Sequence, residues 1–208
     1  MPVLVAPELP AGRLARLAQP TLAAASPAGP VTVRPWAAAD ARAVLDAYAD
    51  PAIQQWHVRS MTPDEADAWV AHWPGRWADE TGAGWAVEVD GAVAGQVSLR
   101  RLRLAEAWAE ISYWVLPHAR GRGIAPAALD AVTGWLMAEV GVLRASLAHS
   151  TRNPASCRVA TKAGYLPEGT LRRQARHADG WHDMHVHARL AEPEPEPGPG
   201  PGPEADGA

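Results

Sequence analysis

The stretch from Val115 to Ala127 constrains the fold most. It reads Val-Leu-Pro-His-Ala-Arg-Gly-Arg-Gly-Ile-Ala-Pro-Ala. Before it, Trp108–Leu116 has the character of a strand, ended by Pro117. After it, Leu129, Val132, Leu136 and Val140 recur at helical spacing until Gly141 closes the helix. A change of period across a glycine-rich turn brings a strand end and a helix start together. Gly121 and Gly123 let the backbone close around a ligand without Cβ clashes. The helix presents its free N–H groups and its positive end to the same place. Arg120 and Arg122 add charge. This is an anion site suited to a pyrophosphate. The Lys-Ser/Thr pair of a nucleotide P-loop is missing, and the spacing is not the G-x-G-x-x-G of a dinucleotide fold.

The flanking sequence supplies the rest of an α+β domain. Val31–Trp36 alternates like a first strand, and Asp40 can cap a helix over Ala41–Ala49. Thr62-Pro63-Asp64-Glu65 is a strong helix start, with a cap, a proline and two acids. Asp90-Gly91 lies between two apolar alternating runs and predicts a hairpin. With Trp108–Leu116 these runs make an antiparallel meander. Val142–Ala148 reads as a strand and Asn153–Ala163 as a helix. Asp179-Gly180 joins two last strands, 170–176 and 181–190. The predicted order is β-α-α-β-β-β-α-β-α-β-β, with a mixed sheet and a right-handed central crossover.

Composition bounds the class. The 208 residues carry 19 Lys+Arg against 23 Asp+Glu, a formal net charge of −4, and a single Cys, Cys157. One cysteine excludes a scaffold stapled by internal disulfides. No apolar run approaches the roughly 18 residues of a membrane span. Bulk basicity is absent, so direct nucleic-acid binding is not expected. Proline and glycine concentrate at the two ends. Residues 1–30 and 192–208 are therefore expected to be disordered tails around one domain, 31–191. No signal segment is evident, so the expected location is the cytoplasm.

Four ordered blocks carry a family resemblance. They are Ala109-Glu-Ile-Ser-Tyr-Trp-Val-Leu-Pro117, Arg120-Gly-Arg-Gly-Ile-Ala125, Asn153-Pro-Ala-Ser-Cys-Arg-Val-Ala-Thr-Lys-Ala-Gly-Tyr165 with Glu168-Gly-Thr-Leu-Arg172, and Asp179-Gly-Trp-His-Asp183. Their order and spacing, from about Val31 to Leu190, resemble the GNAT superfamily of N-acetyltransferases. Within it they resemble the RimJ/RimL-like branch that acetylates ribosomal-protein N-termini. The resemblance implies a mostly antiparallel mixed sheet, helices on both faces, and central strands that splay apart. It implies transfer of an acetyl group from acetyl-CoA, as co-substrate, to a primary amine on a protein N-terminus or a small molecule. The transfer is by direct attack on the thioester, without a metal.

The resemblance also implies roles. The backbone of Trp114, Val115 and Leu116 would bond the pantetheine, and the amides of Gly121, Arg122, Gly123, Ile124 and Ala125, beside Arg120, would hold the pyrophosphate. Asn153 and Ser156 match the family's Asn-x-x-Ser. Asn153 would bond the pantetheine amides, and Ser156 would protonate the departing thiolate or order the water that does. Many relatives carry a tyrosine acid seven residues after this Asn, but here that position is Ala160. Two carboxylates compete for the base. Glu110 shares a strand face with Ser112 and Trp114, and Glu168 opens the family's Glu-Gly block. Trp56 and His57 fall where an amine pocket would lie.

Several readings compete. A non-catalytic acyl-CoA-binding module on the same fold is the alternative function. His149 ends a strand near the expected cleft. His182, His185 and His187 beside Asp183 invite a metal, but they read as surface histidines on an edge hairpin. Cys157 reads as a small, partly buried side chain, and Arg100-Arg101-Leu102-Arg103 as a solvated hairpin end. The sequence leaves the assembly open between monomer and homodimer.

Overall fold

The computed structural model describes residues 4–191. Its frame is an eight-stranded mixed sheet in the order β1-β2-β3-β4-β5-β6-β8-β7. The strands are β1 (Leu22–Ser26), β2 (Gly29–Pro35), β3 (Ala83–Val89), β4 (Ala92–Arg103), β5 (Trp108–Val115), β6 (Arg144–Ser150), β7 (Leu166–His177) and β8 (Gly180–Leu190). The helices are α1 (Ala41–Ala49), α2 (Pro51–His57), α3 (Pro63–Ala71), α4 (Trp73–Ala78), α5 (Ile124–Trp135) and α6 (Pro154–Lys162). Every strand pair is antiparallel except β5–β6. The mixed sheet and the helix-linked crossover between β5 and β6 are as expected.

Local chemistry explains the elements. Asp90 and Gly91 both take positive φ, 53° and 77°, the conformation of the tight turn between β3 and β4. Thr62 accepts the Glu65 amide while Glu65 reaches back to the Thr62 amide, a reciprocal cap on α3. A last turn over Leu136–Val140 continues α5, and Gly141 at φ 91° ends it. The main core lies between the sheet and α5, around Trp85, Leu99, Ile124, Leu129, Val132 and Leu136. A second core, of Val44, Tyr48, Ile53, Val70, Trp114 and Leu116, lies beneath α1–α3 on the other face.

The expected boundary at residue 31 is corrected. Residues 4–30 belong to the domain, and β1 is the sheet's far edge. Leu14 is fully buried and Leu9 nearly so. Glu80 accepts the amides of Gly12, Leu14 and Ala15 at 2.6, 2.5 and 3.0 Å. The indoles of Trp77 and Trp85 donate to the carbonyls of Leu17 and Pro20. Few apolar residues are needed when acids and indoles elsewhere in the chain satisfy the backbone. Helices α2 and α4 are further additions, and Asp50 caps α2 by accepting the Ile53 amide. The other expected tail, 192–208, lies outside the described residues.

Leu14 therefore tests the corrected boundary. Leu14→Ala is expected to cost about 2–5 kcal/mol, the usual range for a buried leucine. At ~2–4 °C per kcal/mol for a chain of this size, Tm should fall by roughly 4–20 °C in a calorimetric scan. An unchanged Tm would mean the segment is not docked.

Candidate active site

Strands β5 and β6 pair only through Trp108–Arg144, Ala109–Ala145 and Glu110–Ser146. Beyond Glu110 they diverge. On the other side of β5, the register with β4 slips between Leu99 and Arg101, so Arg100 is the extra residue of a bulge opposite Glu110 and Ile111. A bulge bends and twists its strand, and here it does so where β5 leaves β6. The result is a cleft of about 1080 Å³.

The cleft walls come from α2–α4, the upper halves of β4, β5 and β6, the start of α5, α6 and the end of β7. One edge of β5 is unpaired there. Leu116 donates its amide to Ala94 on β4 at 2.8 Å. By strand alternation the Trp114 amide also faces β4, whereas the backbone groups of Tyr113 and Val115 face the gap. The expected trio is thus corrected: Tyr113 and Val115 present the free edge, and Leu116 does not line the cleft. Part of that edge is already engaged, because Arg120 Nε donates to the Val115 carbonyl at 3.1 Å.

The glycine loop has the expected form. Gly121 and Gly123 sit at φ 76° and 77°, and Gly123 caps α5. Gly121, Gly123, Ile124 and Ala125 line the cleft. A Cβ on Gly123 would meet Pro27 Cδ at 2.6 Å, so the β1–β2 turn buttresses the loop from behind. Arg120 lines the cleft but is also held by Asp50 at 2.6 Å, which ties the loop to the cap of α2. Arg122 lies outside the cleft, near Asp90. Arg158 and Lys162, one turn apart on α6, line the cleft and were not anticipated. Their i, i+4 spacing after the Asn153 cap was the available signal.

Asn153 caps α6 by accepting the Ser156 amide at 3.1 Å. The Ser156 hydroxyl meets the Tyr113 hydroxyl at 2.7 Å. Burial pushes the Tyr113 phenol up to about 12, against the pull of its bond to Ser156, so it stays protonated. Tyr113 is the functional candidate that sequence reasoning missed. Glu110, Ser112 and Trp114 share the opposite face, and period two places Tyr113 on the face that α6 covers.

Glu110 lines the cleft with Arg100 and Arg101 at 3.9 and 3.6 Å. Glu168 does not reach it. Its carboxylate pairs with Arg144, at the end where β5 and β6 are still joined. That ion pair holds the Glu168 carboxyl below its ordinary value, and the residue is withdrawn as a base. Trp56 and His57 both line the cleft, as does His149. Burial depresses His57 to about 4, helped by Arg100, Arg59 and His177 and opposed by the Tyr113 backbone. His57 is therefore neutral at pH 7.

A model of the acetyltransferase (GNAT) domain matches residues 31–166. The chain belongs to the GNAT acetyltransferase family. This GNAT chain is 27% identical over 140 residues to a Bacillus subtilis (strain 168) protein provisionally named ribosomal N-acetyltransferase YdaF, covering 65% of this chain and 76% of that one. Escherichia coli (strain K12) ribosomal-protein-serine acetyltransferase is 29% identical over 98 residues, 47% of this chain and 55% of that one. Among solved structures, Mycobacterium smegmatis RimJ in complex with CoA-disulfide superposes with a TM-score of 0.76 at 25% identity, over 83% of this chain and 88% of that one. RimL, a ribosomal L7/L12 α-N-protein acetyltransferase, shares the fold with a TM-score of 0.72 at 18% identity, over 77% and 93%. As a GNAT member the chain is an acyltransferase that moves an acetyl group from acetyl-CoA to an amine.

His57 gives the site a measurable acid response. Its folded value, about 4, is below the ordinary 6.5, so the unfolded chain takes up the proton first. Its contribution to stability is complete above about pH 6.5 and is lost as the pH falls toward 4. Between pH 6.5 and 5 this amounts to roughly 1–2 kcal/mol. His57→Gln should therefore lose less Tm than the parent protein over that interval. Equal losses in thermal scans would contradict a depressed His57.

Proposed function

We propose that this chain acetylates the α-amine of a protein N-terminus, by direct attack of the amine on the acetyl-CoA thioester, in the cytoplasm. The observation that carries this reading is the gap between β5 and β6, one-edged by Tyr113 and Val115 and closed at one end by the start of α5. An extended pantetheine needs backbone partners, and a pyrophosphate needs inward-facing amides. The gap offers both, and RimJ, the similar solved structure, is in complex with CoA-disulfide. The names of the two curated relatives support a ribosomal-protein type of acceptor.

The roles follow from position. Gly121, Gly123, Ile124 and Ala125 hold the pyrophosphate, with Arg158 and Lys162 for the remaining phosphate. The gap-facing amides of β5 orient the thioester carbonyl and stabilise its developing oxyanion. Glu110 accepts the ammonium proton through a water. Tyr113 donates to the Ser156 carbonyl at 3.1 Å and its oxygen lies 2.7 Å from the Ser156 hydroxyl; the Ser156 hydrogen would turn from Tyr113 to the departing thiolate. Trp56 and neutral His57 shape the amine end. The lining there carries Arg59, Arg76, Arg100 and Arg176, and Glu110 is the one carboxylate among the described lining residues. That balance disfavours polycationic acceptors and favours an N-terminus followed by acidic or neutral residues.

Thiol release from acetyl-CoA over a panel of N-terminal peptides tests the reading. Acidic peptides should exceed basic ones of equal length in kcat/KM. Ser156→Ala and Tyr113→Phe should each lower kcat by ~10²-fold with little change in KM for acetyl-CoA, and the double variant should be little worse than either. Glu110→Gln should lower kcat similarly, with the deficit shrinking above pH ~8 as the amine deprotonates unaided. Acetyl-CoA binding without thiol release on any peptide or amine would favour the non-catalytic module. A preference for polyamines would overturn the acceptor class.

A further inference from the structure

The histidines at the end of the chain are not on an edge. Strand β8 lies between β6 and β7. His149 on β6 sits in register opposite His185 on β8, and His187 shares the His185 face. Helix α6 lays Cys157 over that face. The four side chains bring three imidazole nitrogens and one sulfur within 4.8 Å of one another. His149 and His187 are 5% and 1% exposed.

The donor geometry points inward. His149 Nδ1 lies 2.9 Å from the Ser150 carbonyl, which can only accept, so Nδ1 carries the hydrogen. Nε2 is then a lone pair, and it faces His187 Nε2 at 3.2 Å. His187 Nε2 is also 4.0 Å from the Cys157 sulfur. The other nitrogen of that ring, Nδ1, is buried, and the ring's remaining polar contact is with the Tyr165 backbone. A carbonyl orienting a histidine through its outer nitrogen is the usual support of a metal ligand.

We propose that His149, Cys157, His185 and His187 form a four-ligand zinc site that ties β6, β8 and α6 together beside the cleft. Bond lengths of ~2.0–2.1 Å to nitrogen and ~2.3 Å to sulfur around a tetrahedral ion give ligand separations of about 3.3–3.6 Å. The separations of 3.2 and 4.0 Å lie close to these, and the remaining ones, all within 4.8 Å, close by side-chain rotation. One thiolate with three imidazoles suits zinc and offers nothing to calcium or magnesium, which take oxygen. Binding ionises Cys157: the sulfur–metal bond forms and the thiol proton leaves to solvent. The four positions are filled by protein, so the ion is structural. It fixes His149, a wall of the cleft, without joining the chemistry.

Metal binding is measured without acetyl-CoA, so its outcome is independent of the acetyltransferase reading. Chelator-stripped protein would be titrated with zinc by calorimetry, and with cobalt(II) while absorption is recorded. The proposal expects one equivalent bound, a thiolate-to-cobalt charge-transfer band with intense visible bands of a four-coordinate ion, and a raised Tm. Cys157→Ala should abolish the charge-transfer band. Cys157→Ala and the half-buried His185→Ala should each weaken zinc binding by more than ~100-fold, beyond what loss of an outer partner costs. Failure of stripped protein to take up one equivalent would overturn the proposal. So would zinc uptake of parental affinity in both folded variants, which would assign the metal to surface histidines.

Discussion

The structure depends on the incomplete pairing of β5 with β6. Three residue pairs join them, and then the strands part. In a continuous sheet the backbone groups of Tyr113 and Val115 would be satisfied by a neighbouring strand. Here their amides are left to a ligand that can lie extended beside them, while Arg120 and His57 engage backbone groups of Val115 and Tyr113. The separation has an identifiable cause in the Arg100 bulge, and an identifiable consequence in a cleft that passes between two strands. The crossover through α5 then returns the chain to the same point. The start of a helix thereby stands at one end of the gap.

The parts around the gap brace one another. Pro27, on the turn between β1 and β2, backs the glycine loop, and Asp50 joins that loop to the cap of α2 through Arg120. Tyr113 links β5 to α6 across the opening through Ser156. The walls that the ligand separates are thus held by side chains rather than by a sheet ladder. Charge is partitioned as well. Residues 4–191 carry 19 Lys and Arg against 18 Asp and Glu, yet the described cleft lining bears seven Lys and Arg side chains against Glu110. Net charge says little about a site when the acids are spent elsewhere, as Glu80 is on the amino-terminal segment and Glu168 on Arg144.

Local signals were readable and long-range ones were not. The glycine loop, the Asp90-Gly91 hairpin and the Thr62 cap rest on neighbours within a few residues, and the sequence shows them directly. The resemblance added the order of the blocks and the splay. The amino-terminal segment is not legible locally because its stability comes from Glu80, Trp77 and Trp85, 60 or more residues away. Tyr113 has no local signal because its partner is on α6. The histidines look like a surface group in the sequence because nothing nearby announces that β8 is an inner strand, or that His149 and Cys157 join them. Leu116 and Trp114 failed on a subtler point: a strand's side chains and its hydrogen-bonding groups alternate in different directions, and the pattern of side chains reports only the first.

The central claim is that acetyl-CoA occupies the gap as an added strand along β5. Amide hydrogen exchange, with and without saturating acetyl-CoA, tests it most directly. The account predicts that protection rises at Tyr113 and Val115 and across Gly121–Ala125, while Trp114 and Leu116, already facing β4, change little. Binding that leaves the amides of Tyr113 and Val115 exchanging as in the free protein would contradict it.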